Sequence, residues 1–450
     1  MAPHARFRFR SAEGLCAEAR RLGLDLPYKE DASILVEEAA LAGRKIPNRL
    51  AVLPMEGADA DPAGGPSDRT LRRYRRYAAG GAGLIWVEAA AVRPDGRSNP
   101  RQLLLTEENV GTFAKLVDET QAAAKKEWGS THRPLLILQL THSGRFAKPE
   151  GKPRPRIVQH NPHLDRIHGL PPDYPLVPDD ELEAVRDDLV EAADLASVAG
   201  FDGVDVKACH GYLVSETLAA HDREDSRYGG TFENRARLLL DTVRRIREET
   251  PGRLVTSRLS ATDLVPFPFG FGMDPDEPDA IRLDEPKALV GLLARAGVRF
   301  LALSLGIPAW KPHFGRPFDK PVPDGPVPDE HPLEGVARHL RVATEIQQAA
   351  PRVDIVGAGY SWLRAYAPGV GAAMVAAGRT AVIGFGRGAL ADPDFAADLI
   401  RDGGLDPGRV CTTCSLCSDL LRRQERVGCV VRDPLYKRSA GAARKGARTA

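Results

Sequence analysis

The chain has 450 residues, enough for one large α/β barrel or for two to three ordinary domains. Its composition, 43% apolar and 27% charged, is typical of a globular protein and excludes a wholly disordered one. The 62 Lys and Arg residues against 61 Asp and Glu residues leave a net charge of +1, so no basic field is present to bind nucleic acid or an anionic membrane. No apolar run reaches about 18 residues and no secretory signal is visible, so we expect a cytoplasmic protein that spans no membrane.

Short apolar runs bounded by Gly, Pro or charged residues predict eight buried strands, at 49–54, 83–90, 134–140, 203–208, 253–260, 299–306, 353–359 and 380–386. Amphipathic stretches lie between them, most clearly 179–200 and 233–249. Asp392 followed by Pro393 predicts the start of a further helix. Eight strand–helix units predict an α/β fold, a (β/α)8 TIM barrel with its active site on the loops after the strands. An open doubly wound sheet is the alternative, disfavoured because no G-x-G-x-x-G follows the first strand.

The barrel prediction divides the chain into four parts, an N-terminal extension at 1–45, the barrel at 46–400, a Cys-rich segment at 401–436 and a disordered basic tail at 437–450. Two long connections, 141–178 and 307–330, are rich in Pro, His and Gly. Both follow strands, so we expect them to cover the catalytic face as lids or substrate walls.

The stretch 201–240 carries the most chemistry in the chain. It leads from the fourth strand into a loop with Lys207, His210 and Tyr212. A loop that leaves a barrel strand directs its side chains into the mouth of the barrel. A cation, an imidazole and a phenol there could bind a substrate oxygen and supply a proton. Taken alone, His210 is more readily explained as a hydrogen-bonded loop histidine and Tyr212 as a packing residue.

Four of the six cysteines crowd into one short segment, spaced C-x2-C-x2-C-x11-C, at Cys411, Cys414, Cys417 and Cys429. Four thiolates suit either a [4Fe–4S] cluster or a tetrahedral zinc ion. Three close cysteines with one remote partner favour the cluster over zinc, and free or redox-active thiols are the third alternative. A disulfide framework is not expected in a large chain without a secretory signal.

Five motifs in order resemble those of the Old Yellow Enzyme family of FMN oxidoreductases: IPNRLAVLPMEG (46–57), GGAGLIWVEAAAVRPDGR (80–97), LILQLTHSGR (136–145), the stretch 201–240 and IGFGRGALADPDF (383–395). The cysteine spacing is similar to that which follows the barrel in the 2,4-dienoyl-CoA reductase and trimethylamine dehydrogenase branch. The resemblance covers residues 46–395, nearly the whole predicted barrel. It implies an FMN-binding barrel followed by an iron–sulfur segment.

The resemblance also implies which residues hold the FMN. Gln139 matches the glutamine at the pyrimidine edge, and Arg258 matches the arginine beside the flavin N1, where a fixed cation stabilises the anionic reduced flavin. The flavin ring would be lined by Pro54, Met55, Glu56 and Ala89. A flavin phosphate needs backbone donors and a cation after strands seven and eight, and these loops supply Gly357, Gly359, Gly386 and Arg387.

The chain departs from the family pattern at two of these positions. Lys207 stands where the family usually has a His that grips the substrate oxygen together with the residue three positions on, here His210. Lysine is a flexible point charge that favours a carboxylate or other anionic group, or is held inert in a salt bridge. Glu56 replaces a Thr or Cys that tunes the flavin. Tyr212 matches the proton-donating tyrosine, and His313 and Trp310 are candidates for contact with substrate.

The function implied is reduction of an activated C=C bond by hydride from FMN, with Tyr212 as proton donor. The alternatives are an N-methylated amine dehydrogenase that passes electrons out through the cluster, and an electron-transfer subunit of a larger complex. A methylated cation would need an aromatic cage, for which Tyr28, Trp310 and Phe314 are candidates. No Rossmann fingerprint follows the cysteines. Electrons are therefore expected from NAD(P)H or from a separate protein, and oligomerisation is left open.

Overall fold

In a computed structural model that describes residues 3–437, eleven strands are present: β1 (Ala39–Leu41), β2 (Arg44–Ile46), β3 (Leu50–Val52), β4 (Leu84–Ala91), β5 (Leu135–Thr141), β6 (Gly203–Val206), β7 (Leu254–Thr256), β8 (Arg258–Thr262), β9 (Phe300–Leu305), β10 (Asp354–Gly357) and β11 (Val382–Phe385). The last nine form one parallel sheet in the order β7-β6-β5-β4-β3-β11-β10-β9-β8. Its two edges, β7 and β8, are separated only by Ser257, and a parallel bridge joins Ala208 to Leu259. The sheet is thus an eight-stranded TIM barrel whose fifth strand is split, and the predicted fold is confirmed.

Fourteen α-helices surround or follow these strands within the described residues: α1 (Ala12–Arg21), α2 (Asp68–Ala79), α3 (Val110–Trp128), α4 (Pro162–His168), α5 (Asp179–Val198), α6 (Leu213–Leu218), α7 (Phe232–Glu249), α8 (Asp284–Arg295), α9 (Pro312–Gly315), α10 (Pro332–Ala349), α11 (Ala367–Ala376), α12 (Arg387–Ala391), α13 (Phe395–Asp402) and α14 (Leu416–Arg422). Short 3-10 turns cover Ser33–Leu35, Pro94–Gly96, Gly144–Phe146 and Tyr360–Tyr366. Over residues 3–437, no helix combines the length and the apolar character that crossing a bilayer would require.

Helices α5 and α7 lie where the amphipathic pattern predicts them. The apolar face of α5 is fully covered, with Leu182, Val185 and Leu189 at 0% exposure. The helix start predicted at Asp392 is wrong, because Asp392 ends α12 and the next helix begins at Phe395 after Asp394. The Asp392 carboxylate instead forms an ion pair with Arg409, at 3.4 Å between Oδ1 and Nη2. Arg409 lies beyond the end of α13.

The β1–β2 hairpin covers one end of the barrel. Its Leu41 and Ile46 belong to a buried cluster with Trp86 and Phe300 from the barrel strands. The opposite end, where the strands finish, is covered by an apolar cluster from the connections after strands three, five and six, namely Phe146, Leu164, Val265, Phe269, Ile307 and Trp310. This placement leaves the carboxyl ends of the strands as the place for chemistry, beneath that cover.

The segment after the barrel packs on the loop that follows β3. The main-chain N–H of Val427 donates to Gly57 O at 2.7 Å, and Leu420 and Val427 pack against Ala58. The buried guanidinium of Arg73 donates to Asp59 and to Val427 O, and it pairs with Glu88 at 2.7 Å. These contacts hold the Cys-rich segment against the mouth of the barrel. Of the tail predicted to be disordered, residues 437–450, all but Lys437 lies outside the described residues.

Candidate active site

Lys207 and Tyr212 meet at the carboxylate of Glu56. The Tyr212 hydroxyl donates to Glu56 Oε1 at 2.9 Å, and Lys207 Nζ lies 3.4 Å from the same oxygen. Lys207 Nζ also lies 3.5 Å from the centroid of the Tyr212 ring. Glu56 follows the first barrel strand, whereas Lys207 and Tyr212 follow the fourth, so it is closure of the barrel that brings these groups together.

His210 turns toward the sixth strand instead. Its backbone is left-handed (φ 67°), its N–H donates to Ser260 Oγ at 3.2 Å, and its Nε2 lies 2.7 Å from Ser304 Oγ. Burial, together with the positive charges of Arg258 and Lys207, lowers the pKa of His210 well below its usual value. His210 is therefore a neutral imidazole near pH 7, held by a serine that the sequence motifs do not single out.

The Tyr212 phenol is held in its protonated form. Burial raises its pKa well above the usual value, and the charge and hydrogen bond of Glu56 raise it further. The ring of Phe146, from the cover over the mouth, packs against the Tyr212 ring at 5.6 Å between centroids. A protonated phenol in this position is suited to exchange a proton with a bound molecule.

A buried carboxylate, Asp205, joins the two residues matched to the flavin ring. Asp205 Oδ2 accepts from Gln139 Nε2 at 2.6 Å and from Trp86 Nε1 at 2.8 Å. Asp205 Oδ1 accepts the main-chain N–H of Arg258 at 2.6 Å, where the fifth strand is split. Burial raises the pKa of Asp205, and these donors oppose the rise. The sequence reasoning missed Asp205, although it is the only charged residue in strand β6.

Arg258 is directed toward the loop that lines the predicted flavin site. Its Nη1 donates to Pro54 O at 3.2 Å, and within residues 3–437 its buried Nε has no hydrogen-bond partner. Ala89, which is also predicted to line the flavin ring, lies on the second strand, and its carbonyl accepts from Gln102 Nε2 at 3.1 Å. An unpartnered guanidinium N–H in a buried site is costly unless a ligand accepts it, and the N1 edge of a flavin would do so.

The glycine loops after strands seven and eight lie side by side. A Cβ on Gly359 (φ +94°) would approach the His339 ring at 2.8 Å, so this position needs glycine, whereas a Cβ on Gly386 would lie 3.0 Å from the Met55 Sδ and would only crowd that side chain. Gly357 is equally closed in, since a Cβ there would lie 2.8 Å from the Tyr360 hydroxyl. The glycine loops, together with Arg258 and Arg387, are thus compatible with FMN.

Arg387, the predicted cation for the flavin phosphate, also makes contacts outside the phosphate loop. Its Nη2 donates to Pro317 O at 2.8 Å, while in the described part of the chain its buried Nη1 has no partner. Its side chain also lines the cavity that holds the four cysteines. Arg387 therefore lies between the phosphate loop and the Cys-rich segment.

The four clustered cysteines line one small cavity. Burial raises the pKa of Cys411 to about 12 and also raises that of Cys429. A zinc ion would need its sulfurs at about 2.3 Å. Across residues 3–437, however, no three His, Cys, Asp or Glu side chains are grouped closely enough to hold one metal ion.

The two residues predicted to contact substrate lie in different surroundings. Trp310 packs on His163 at 4.9 Å and belongs to the apolar cover over the mouth. His313 lies beside Phe314, and burial lowers its pKa to about 4. Tyr28 packs on Gly369 of helix α11, so it is part of the packing of the N-terminal extension rather than of a cage with Trp310.

A parallel barrel whose carboxyl end carries a phenol, an ammonium and a guanidinium with one unpartnered N–H among the described residues fits the class of flavin-binding oxidoreductase barrels. Residues 40–271, more than half of the chain, match the model of the NADH:flavin oxidoreductase / NADH oxidase family. The chain belongs to this family, and the predicted resemblance is confirmed.

Curated relatives agree with this assignment. The chain is 26% identical to an NADH oxidase of Thermoanaerobacter brockii over 85% of this chain and 53% of the relative. It is 30% identical to an NADPH dehydrogenase of Clostridium acetobutylicum over 51% of this chain and 64% of the relative. The chain thus spans about half to two thirds of the length of these relatives.

Solved structures share the fold. A 2-naphthoyl-CoA reductase matches with a TM-score of 0.69 at 21% identity, over 89% of this chain and 57% of that one. Histamine dehydrogenase from Rhizobium sp. 4-9 matches with a TM-score of 0.65 at 21% identity, over 89% and 52%. Morphinone reductase in complex with tetrahydroNAD matches with a TM-score of 0.58 at 23% identity, over 83% and 92%.

Proposed function

We propose that this chain is an FMN-dependent oxidoreductase that reduces an activated C=C bond with electrons from NAD(P)H. Family membership supports the flavin, and the names of the curated relatives support the nicotinamide donor. FMN, when bound, supplies hydride to the β-carbon of the alkene. Gln139 and Arg258 would hold its ring, and the loops at Gly357, Gly359 and Gly386 would hold its phosphate.

The side chains above this ring divide the remaining work. Lys207 has three N–H donors, of which Glu56 uses one, so the others can bind the activating oxygen of a substrate. Neutral His210, fixed by Ser304, adds a second polar group to the same loop. Tyr212 would supply the proton to the α-carbon, and the apolar cover with Phe146 and Trp310 would exclude water.

The observation that carries this proposal is the contact of Lys207 and Tyr212 at one buried carboxylate, beside Arg258. An enzyme that binds FMN only as an electron conduit needs no protonated phenol at that place. The test is NAD(P)H oxidation that depends on cyclohex-2-enone, measured anaerobically with the FMN-loaded protein. We expect formation of the saturated ketone by the wild type and little by the Tyr212→Phe variant. Equal rates in the two proteins would remove Tyr212 from the mechanism.

A second candidate function is supported by the cysteine cavity. We infer that Cys411, Cys414, Cys417 and Cys429 hold a [4Fe–4S] cluster in the segment 401–436, which packs on the loop of Glu56 and Gly57. This contact offers electrons a way out of the barrel, as oxidation of an N-methylated amine or transfer to a separate protein would require. Stoichiometric reduction of the flavin by an amine without NAD(P)H would favour this function over alkene reduction.

A further inference from the structure

The carboxylate of Glu56 is saturated by polar groups of the candidate active site. Oε1 accepts from the Tyr212 hydroxyl at 2.9 Å and faces Lys207 Nζ at 3.4 Å. Oε2 accepts from Ser98 Oγ at 2.7 Å. The Glu56 side chain is 9% exposed and that of Lys207 is 4% exposed. A carboxylate this buried is stable only while such partners compensate its charge.

The backbone holds Glu56 in this position independently of its side chain. The next residue, Gly57, donates its N–H to the buried Glu88 carboxylate, and its carbonyl accepts from Val427 N–H at 2.7 Å. The peptide after Glu56 is thus fixed from both sides, by the second strand and by the Cys-rich segment. The carboxylate is preorganised against Tyr212, since it need not be ordered during turnover.

The direction of the phenol hydrogen bond has a chemical consequence. The Tyr212 hydroxyl donates to the Glu56 carboxylate, which is paired with Lys207 and also accepts from Ser98. A carboxylate with these partners holds the hydroxyl in one orientation but has no proton to give. Glu56 therefore fixes the orientation of the phenol and, by its charge, favours the protonated form of Tyr212.

We propose that Glu56 is a positioning residue that holds the Tyr212 hydroxyl ready for proton transfer, with Lys207 compensating the charge of its carboxylate. The proposal rests on the proposed alkene reduction. In that reaction the Tyr212 O–H bond breaks as its proton bonds to the α-carbon, while hydride derived from NAD(P)H bonds to the β-carbon and the π bond is consumed. The Tyr212 phenolate then takes a proton from water, while the Glu56 carboxylate stays paired with the Lys207 ammonium.

Replacing Glu56 by the isosteric, uncharged glutamine separates this role from simple packing. The FMN-loaded protein is labelled with 13Cζ-tyrosine, and the Tyr212 signal is identified by its loss in Tyr212→Phe. Because Glu56→Gln removes a negative charge and an acceptor beside the phenol, we expect Tyr212 to ionise at lower pH than in the wild type. Glu345→Gln is the matched control, because Glu345 pairs with Lys287 at 2.9 Å on helices α10 and α8. This control should leave the Tyr212 titration unchanged.

Kinetics of the two half-reactions give the second readout. We expect Glu56→Gln to slow oxidation of the pre-reduced protein by cyclohex-2-enone by about 10- to 100-fold, and to slow this step more than it slows reduction of the flavin by NAD(P)H. Glu56→Asp keeps the charge and should recover part of the lost rate.

The two readouts separate the possible failures. An unchanged Tyr212 titration in a folded Glu56→Gln protein overturns the proposal, and so does an unchanged rate of oxidation by the enone. If the wild type reduces no enone although Glu56→Gln shifts the Tyr212 titration, the proposed alkene reduction fails while the control of Tyr212 by Glu56 stands.

Discussion

We expect the Asp205 carboxylate to stabilise the mouth of the barrel and to help retain FMN. Its two oxygens accept three buried donors, from Trp86, Gln139 and the main chain of Arg258. Asp205→Asn keeps the shape of the side chain but leaves one oxygen. The less costly orientation keeps that oxygen on the Trp86 and Gln139 donors and turns the NH2 group toward the N–H of Arg258.

This orientation leaves one buried donor unsatisfied, which costs about 1–3 kcal/mol. We therefore expect the free energy of unfolding of Asp205→Asn to fall by about 1–3 kcal/mol in urea denaturation. The two N–H groups also repel each other, which displaces Arg258 and weakens FMN retention, measured as flavin fluorescence released on dilution.

Asp202→Asn is the matched control, at the other end of the same strand. Asp202 accepts from Leu136 N at 2.9 Å and pairs with Arg133, whose side chain is 55% exposed. Exposed pairs contribute about 0–1 kcal/mol, so this variant should lose little stability and no FMN. Equal losses in the two variants, or full FMN retention by Asp205→Asn, would refute the reasoning.

Three further predictions concern single side chains. Burial raises the pKa of Asp263 to about 7, from 3.8, so its protonated form stabilises the fold most below pH 4. That contribution to the free energy of unfolding, up to about 4 kcal/mol, is lost as the pH rises to 7. Asp263→Asn should therefore flatten the dependence of the free energy of unfolding on pH between pH 4 and 7. An unchanged slope contradicts this assignment. Arg258→Ala should release FMN or shift its midpoint potential, and a fully loaded variant of normal potential would show that the guanidinium does not contact the flavin. Cys414→Ala should lose iron and sulfide on analysis of anaerobically prepared protein, and four irons per chain in that variant would exclude Cys414 as a ligand.

The strands could be predicted because strands buried on both faces form continuous apolar runs. All eight runs became barrel strands, and the fifth, 253–260, is split at Ser257. The split could not be read from the run, since it coincides with a side-chain contact, in which the Asp205 carboxylate on the neighbouring strand accepts the N–H of Arg258.

The candidate site was predictable in its residue types and not in its contacts. The motifs single out Lys207, Tyr212 and Glu56, but Glu56 follows the first barrel strand and the other two follow the fourth, so only barrel closure brings them together. The sequence contains one further signal, an acidic residue inside an otherwise apolar strand. Glu88 and Asp205 are lone acidic residues within apolar strands, and such residues require buried partners, here Arg73 for Glu88 and Gln139 for Asp205.

The most direct test of the account is an anaerobic titration of the purified, FMN-loaded protein with NADPH and then NADH, following the visible flavin band. We predict that one nicotinamide bleaches the band within seconds and that cyclohex-2-enone restores it. A band that neither nicotinamide bleaches, although dithionite does, would contradict direct reduction by NAD(P)H. It would point instead to a protein partner or an amine as the source of electrons.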